Sequence, residues 1–272
     1  MTTTPKPPFD VEPLPSRISQ LPSAADQRIG RRMLVWLAMA AAALTLIVLL
    51  VTGALAADAF CRPGSKDIAA RLTWLATDTR DQTITFADAP LGALPKDFVS
   101  ALTGQGKPGR WDVVEDKTTD GGKALAQLDP DRTDYRFPLA IFEPTASANV
   151  EVTVRFKAVS GQVDQAGGVV VRLTDPNNYY LARANALEDN VNFYRVVGGK
   201  RQEIAGAKVK VTAGEWHALT LRARGTEFAV LFDGKQALTA KDERFGAPGK
   251  VAVWTKADSI THFDGIVIKA LQ

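Results

Sequence analysis

Between Ala148 and Ser160 the chain reads Ala-Asn-Val-Glu-Val-Thr-Val-Arg-Phe-Lys-Ala-Val-Ser. Val150, Val152, Val154 and Phe156 fall on one side of an extended backbone, and Glu151, Thr153, Arg155 and Lys157 on the other. Side chains alternate across a strand with period two, so this segment predicts an antiparallel strand with one face buried and one wet. The pattern recurs at Val169–Thr174, Tyr179–Ala186, Val191–Val197, His217–Arg224, Thr226–Phe232, Val251–Thr255 and Phe263–Ala270. Turn chemistry separates these runs. Asp233-Gly234 and Gly198-Gly199 suit two-residue hairpins, whose central residues both need positive φ. Asp175-Pro176-Asn177-Asn178 is a further turn, with proline fixing φ and asparagine tolerating the left-handed region. Gly225 and Gly249 mark other breaks. Many short strands without intervening helical patterns predict an all-β, antiparallel β-sandwich or closed barrel over residues 82–272.

The N-terminal third reads differently. Residues 1–32 carry Pro5, Pro7, Pro8, Pro13, Pro15 and Pro22, which break helices, and read as a disordered tail. Arg28, Arg31 and Arg32 precede 24 residues without a charge, Met33 to Ala56. As a helix that run is about 36 Å long, enough to cross a hydrocarbon core of about 30 Å. Two outcomes are open: an uncleaved transmembrane anchor, or a signal cleaved after Ala56, since Ala54-Leu55-Ala56 has the small-x-small pattern. The length of the run and of the segment before it favours the anchor. The flanking arginines place the N-terminus in the cytoplasm and the β-domain in the periplasm or outside the cell. Residues 57–81 read as a linker, with a short helix at 68–75. Cys61 follows Phe60 rather than a small residue, which argues against a lipid-modified cysteine.

Composition excludes several classes. The 33 basic and 30 acidic residues leave a net charge of +3, with no basic run, so no nucleic-acid partner is expected. One cysteine and two histidines exclude a disulfide framework and a histidine- or cysteine-rich metal centre. No cofactor or metal is expected, because the candidate calcium ligands Asp258 and Asp264 lack a dense acidic loop.

Gly167 to Tyr180, with Gly-Gly-Val-Val-Val-Arg-Leu-Thr-Asp-Pro-Asn-Asn-Tyr-Tyr, resembles a strand–turn–strand signature of bacterial exported domains. So do Arg183 to Val191, Gly214-Glu215-Trp216-His217, Phe232 to Lys235, Gly249 to Ser259, and Phe263-Asp264. The resemblance is to the 3-keto-disaccharide hydrolase-like family of the concanavalin A-like lectin/glucanase superfamily, and it spans about residues 82–272. It implies a jelly-roll sandwich, a carbohydrate or cell-envelope component as partner, and hydrolase-like chemistry at most. The Glu-x-Asp-x-x-Glu strand of related glucanases is absent, since Thr153 stands two positions after Glu151. A retaining glycosidase needs two carboxyls about 5–5.5 Å apart.

Alternation sorts the central strands into two faces. Val169, Val171, Leu173, Tyr180, Ala182, Ala184, Val191, Phe193, Val251 and Val253 make an apolar inter-sheet face. Arg172, Tyr179, Arg183, Asn185, Asn192, Tyr194, Trp254 and Lys256 make an opposite face that is both aromatic and polar. Rings can stack on the apolar side of a sugar, and planar polar groups can hold its hydroxyls, so these eight are the candidate ligand-binding residues. An ordinary solvated face has the same composition. Glu188, just after a strand, is the candidate catalytic carboxylate. Trp216 and His217 read as structural, with Trp216 in the core. Three functions remain open: a membrane-anchored carbohydrate-binding or envelope-interaction module, a glycoside hydrolase or lyase acting on keto-sugars, or a structural protein-interaction domain.

Overall fold

The computed structural model describes residues 81–271. The tail, the apolar run 33–56, Cys61 and the short helix expected at 68–75 lie outside them. Among the described residues there is no helix, and so none long and apolar enough to cross a membrane.

Fifteen strands follow one another. They are β1 (Gln82–Ile84), β2 (Phe98–Gly104), β3 (Trp111–Glu115), β4 (Lys123–Gln127), β5 (Arg136–Ser147), β6 (Val150–Ser160), β7 (Ala166–Asp175) and β8 (Asn178–Asn185). Then come β9 (Asn190–Val197), β10 (Lys200–Lys208), β11 (Trp216–Arg224), β12 (Glu227–Phe232), β13 (Lys235–Lys241), β14 (Gly249–Trp254) and β15 (Ile260–Ala270). One sheet has the order β13-β12-β11-β6-β15-β4-β3, with β1 also on β15, and the other β10-β9-β8-β7-β14-β5-β2. Every pairing is antiparallel. The hairpin turns have the positive φ that their sequences require: 49° and 76° at Asp233-Gly234, 55° and 77° at Gly198-Gly199. Asn177 does not adopt a left-handed conformation. Instead Asp175 Oδ1 accepts the Asn177 backbone N–H at 2.7 Å and closes that turn from the side chain.

Between the sheets lies the main core. Val150, Val152, Val154 and Phe156 of β6 meet Val169, Val171, Tyr180, Ala182, Ala184, Val191, Phe193, Val251 and Val253, all 2% exposed or less. Strand β6 alternates buried and half-buried residues along most of its length, as its sequence predicts.

Leu173 and Arg172 exchange faces relative to the simple alternation. Both ladders of β7 lose register here, between Val171 and Asp175 against β8 and opposite Lys250–Ala252 on β14. Arg172 takes φ of 52°. This extra residue in the ladder reverses the parity beyond it. Leu173 joins the outer-face cluster. Arg172 turns inward at the end of the sandwich, 1% exposed. Its guanidinium donates to the carbonyls of Ala148, Gly225 and Phe245, each at 2.7 Å, and lies 5.2 Å from the Phe228 ring. Arg172 is therefore no part of an outer-face ligand site. It ties three loops together.

Candidate functional site

The outer face of the seven-stranded sheet is not a free surface over most of its width. The sheet curls until its two sides meet. Arg201 on edge strand β10 lies 4.7 Å from the Phe137 ring on β5 and 5.8 Å from the Trp254 ring on β14. Its backbone N–H donates to the Tyr135 hydroxyl at 2.7 Å. On the opposite edge strand, Thr103 of β2 donates its hydroxyl to Pro176 O and accepts from the Tyr179 hydroxyl at 2.9 Å. Inside this curl a second apolar cluster forms, including Phe137, Leu139, Val170, Tyr179, Leu181, Val196 and Trp254, all fully buried.

Two candidate stacking rings are thus spent on packing. Trp254 stacks on Phe137 at 5.3 Å, under Arg201, and Tyr179 is sealed beneath Thr103. Burial pushes the Tyr179 hydroxyl up to about 12. Neither ring faces solvent, which corrects the reading of this face as an open aromatic platform.

The five other ligand-binding candidates and Glu188 do come together where the curl ends, on β8, β9 and the loops at that end of the sheet. Alternation puts Arg183 and Asn185 on the outer side of β8, and Asn192 and Tyr194 on the outer side of β9, with Arg183 opposite Asn192. Arg183 Nη2 donates to Glu188 Oε2 at 2.8 Å and to Asn190 Oδ1 at 2.6 Å, and its guanidinium lies 5.6 Å from the Tyr194 ring. Asn192 divides its two amide hydrogens between the Tyr194 hydroxyl at 2.9 Å and Glu203 Oε2 at 2.8 Å. Asn185 Nδ2 donates to Asp164 Oδ1 at 2.8 Å, and Lys256 bridges Asp164 and Asp134 at 2.9 and 3.0 Å.

Strand β10 supplies what sequence reasoning missed. Its register places Arg201 opposite Val196, Glu203 opposite Tyr194, Gly206 opposite Asn192 and Lys208 opposite Asn190. Asn190, Asn192, Glu203, Gly206, Ala207 and Lys208 line a hollow of about 270 Å³. A methyl at Gly206 would lie 2.8 Å from Asn192 Oδ1 and 3.1 Å from Glu203 Oε1, so only glycine leaves this hollow open with both groups in place. The sequence held one usable signal: the Gly198-Gly199 hairpin requires a returning strand in register with β9.

The electrostatics suit binding better than proton transfer. Burial pushes the Glu188 carboxyl up. The Asn190 hydrogen bond and the charge and hydrogen bond of Arg183 outweigh that, so its pKa falls below the ordinary glutamate value. A general acid needs the opposite. Burial raises the neighbouring Asp164, but that residue is 1% exposed and its two oxygens face Asn185 and Lys256. It has no open path to a substrate.

The two remaining sequence readings concern the other sheet. Trp216 is not in the core. It lies on the outer side of β11, its ring 4.9 Å from Lys157 Nζ and its indole N–H bonded to Thr118 at 2.8 Å. His217 points inward, with Nδ1 2.8 Å from Asp233 Oδ2. Asp258 accepts the backbone N–H groups of Gln162, Val163 and Asp164, and Asp264 pairs with Arg155 at 3.2 Å.

No protein-family model matches the chain, and no curated protein sequence matches it. Solved structures do. The carbohydrate-binding module CBM66 from Bacillus subtilis superposes over 66% of this chain and 99% of its own, with TM-score 0.50 and 21% identity. A structure described as a native glycosidic hydrolase superposes over 72% of this chain and 99% of its own, with TM-score 0.51 and 12% identity. At these identities the likeness is one of fold: a two-sheet, antiparallel jelly-roll shared by a carbohydrate-binding module and a glycosidase-like protein.

Proposed function

We propose that this domain binds carbohydrate in the hollow between β9 and β10, without turning it over. One observation carries the reading. Asn190, Asn192, Glu203 and Lys208 present amide, carboxylate and ammonium groups around a gap that Gly206 keeps open. These are the donors and acceptors that planar recognition of sugar hydroxyls requires. The volume lies just below the roughly 300–1,000 Å³ of drug-sized sites, which suits one sugar ring or chain end. The fold shared with a carbohydrate-binding module supports the reading. The lowered Glu188 and the enclosed Asp164 favour retention of the sugar over hydrolysis. The apolar run 33–56 would hold the domain on the outer side of the cytoplasmic membrane, where glycans of the envelope are within reach.

The test is a glycan array on the full-length chain, followed by titration calorimetry on the best ligand. Asn192→Ala and Glu203→Ala should each weaken binding about tenfold, the effect of roughly one lost hydrogen bond of about 1.4 kcal/mol. No reducing sugar should be released on long incubation. Turnover, or binding that ignores both substitutions, would contradict the proposal.

A further inference from the structure

Arg201 and Arg183 approach the Tyr194 ring together, with their guanidinium carbons 4.6 and 5.6 Å from its centroid. Each has a buried nitrogen without a hydrogen-bond partner, Nη1 of Arg201 and Nε of Arg183. The two residues differ in what neutralises them. Arg183 is 1% exposed and has Glu188. Among the described residues Arg201 has no carboxylate partner, and its guanidinium rests against three aromatic rings, Phe137, Tyr194 and Trp254. Ring faces attract a cation but leave its N–H groups unpaired. A buried N–H left unpaired is destabilising, and more so when the group is charged. Placing two like charges near one ring adds repulsion in a partly desolvated setting. An anion on the accessible side of Arg201 would pair its free N–H groups and offset the repulsion from Arg183.

We infer that Arg201 receives a carboxylate, with the enclosed charge of Arg183 behind it, and that the sugar bound in the adjoining hollow is a uronic acid or another acidic sugar. The inference rests on the carbohydrate-binding reading above and names its ligand class. The geometry fits a sugar acid in two ways. Asn192 connects the two places, since its amide bonds both to Tyr194, beneath the arginines, and to Glu203, in the hollow. Hydroxyls of one ring can therefore meet Asn192 and Glu203 while its carboxylate turns toward Arg201. Arginine also presents N–H groups in a planar fork that matches a carboxylate, which a lysine cannot do. Arg201 is only partly buried, and ring contacts alone hold its guanidinium, so it can reorient onto a ligand.

The experiment compares an oligogalacturonide, its methyl ester and a neutral cello-oligosaccharide on the full-length chain by titration calorimetry. The ester keeps the sugar and removes only the charge. The acid should bind at least tenfold more tightly than the ester, and raised salt should narrow the gap. Arg201→Gln should remove that preference while the melting temperature stays within a few degrees. Arg201→Lys, which keeps charge without the fork, should restore only part of it. Equal binding of acid and ester, or binding of the neutral sugar alone, would overturn the acidic-sugar inference and leave the carbohydrate reading intact. Binding of no glycan in the comparison or on the array would sink both.

Discussion

The two sheets treat their outer faces in opposite ways. On the eight-stranded sheet, Glu151, Thr153, Arg155 and Lys157 of β6 point outward and stay partly exposed. Glu151 pairs with the half-exposed Arg222, while Arg155 and Lys157 reach down to the buried carboxylates of Asp264 and Asp116. On the seven-stranded sheet, β7 and β8 are buried along both faces over most of their length, because the sheet curls and closes on itself. One sheet has a core face and a wet face. The other has two cores and a polar mouth. Period two assigns residues to faces, but it does not say whether the second face meets water.

If the curl is a true second core, removing its largest side chain should be costly, and a matched change on the wet face should not. Trp254→Ala should lose about 3–5 kcal/mol of unfolding free energy by urea titration. Arg222→Ala, on the outer face of the other sheet and half-exposed in its pair with Glu151, should lose about 1 kcal/mol or less. Similar losses at the two positions would erase the distinction.

A smaller effect is expected at the bulge between β7 and β14, within the seven-stranded sheet. An added methyl at Gly249 would sit 2.4 Å from the Arg172 carbonyl carbon, so Gly249→Ala forces the bulged strand to shift. We expect a loss of about 1–3 kcal/mol in the same titration. No loss would mean that the bulge does not fix the inward turn of Arg172.

A pH dependence is expected beneath the outer face of the eight-stranded sheet, at the buried Asp116. Burial raises the Asp116 carboxyl, but hydrogen bonds from Lys157, Thr118 and His262 dominate and hold it well below the ordinary value of 3.8. A depressed carboxylate stabilises the fold above its unfolded pKa and loses that contribution as pH falls. Stability should therefore drop as pH falls below about 4, and Asp116→Asn should flatten that limb. Unchanged acid sensitivity in the variant would remove Asp116 from the account.

The contrast between the sheets was partly written in the sequence. Strand β6 alternates cleanly, whereas Val169-Val170-Val171 in β7 and Val251-Ala252-Val253-Trp254 in β14 are continuous apolar runs. Continuous runs signal burial on both faces. The glycine turns and eight of the strands were legible for the same local reasons. The rest depended on neighbours distant in sequence. Strand β5 contains Pro138 and Pro144, which local rules count against a strand. Strand β10 is an edge that opens on Lys-Arg-Gln-Glu and has only Ile204, Ala205 and Ala207 as apolar residues beyond, so no alternating hydrophobic pattern announces it. It carries Arg201, Glu203, Gly206 and Lys208, so the missed strand is also the missed half of the site. Arg172 escaped because a bulge is a register event, visible only once β7 has partners on both sides.

The most direct test follows backbone amide shifts of the isotope-labelled chain during titration with the best glycan from the array. Ligand in the hollow should move resonances of Asn190 to Tyr194 and Glu203 to Lys208, and leave those of Trp216, Lys157 and His262 in place. Shifts gathered around Trp216 on the eight-stranded sheet, or no localised shifts at all, would contradict a carbohydrate site at the mouth of the curl.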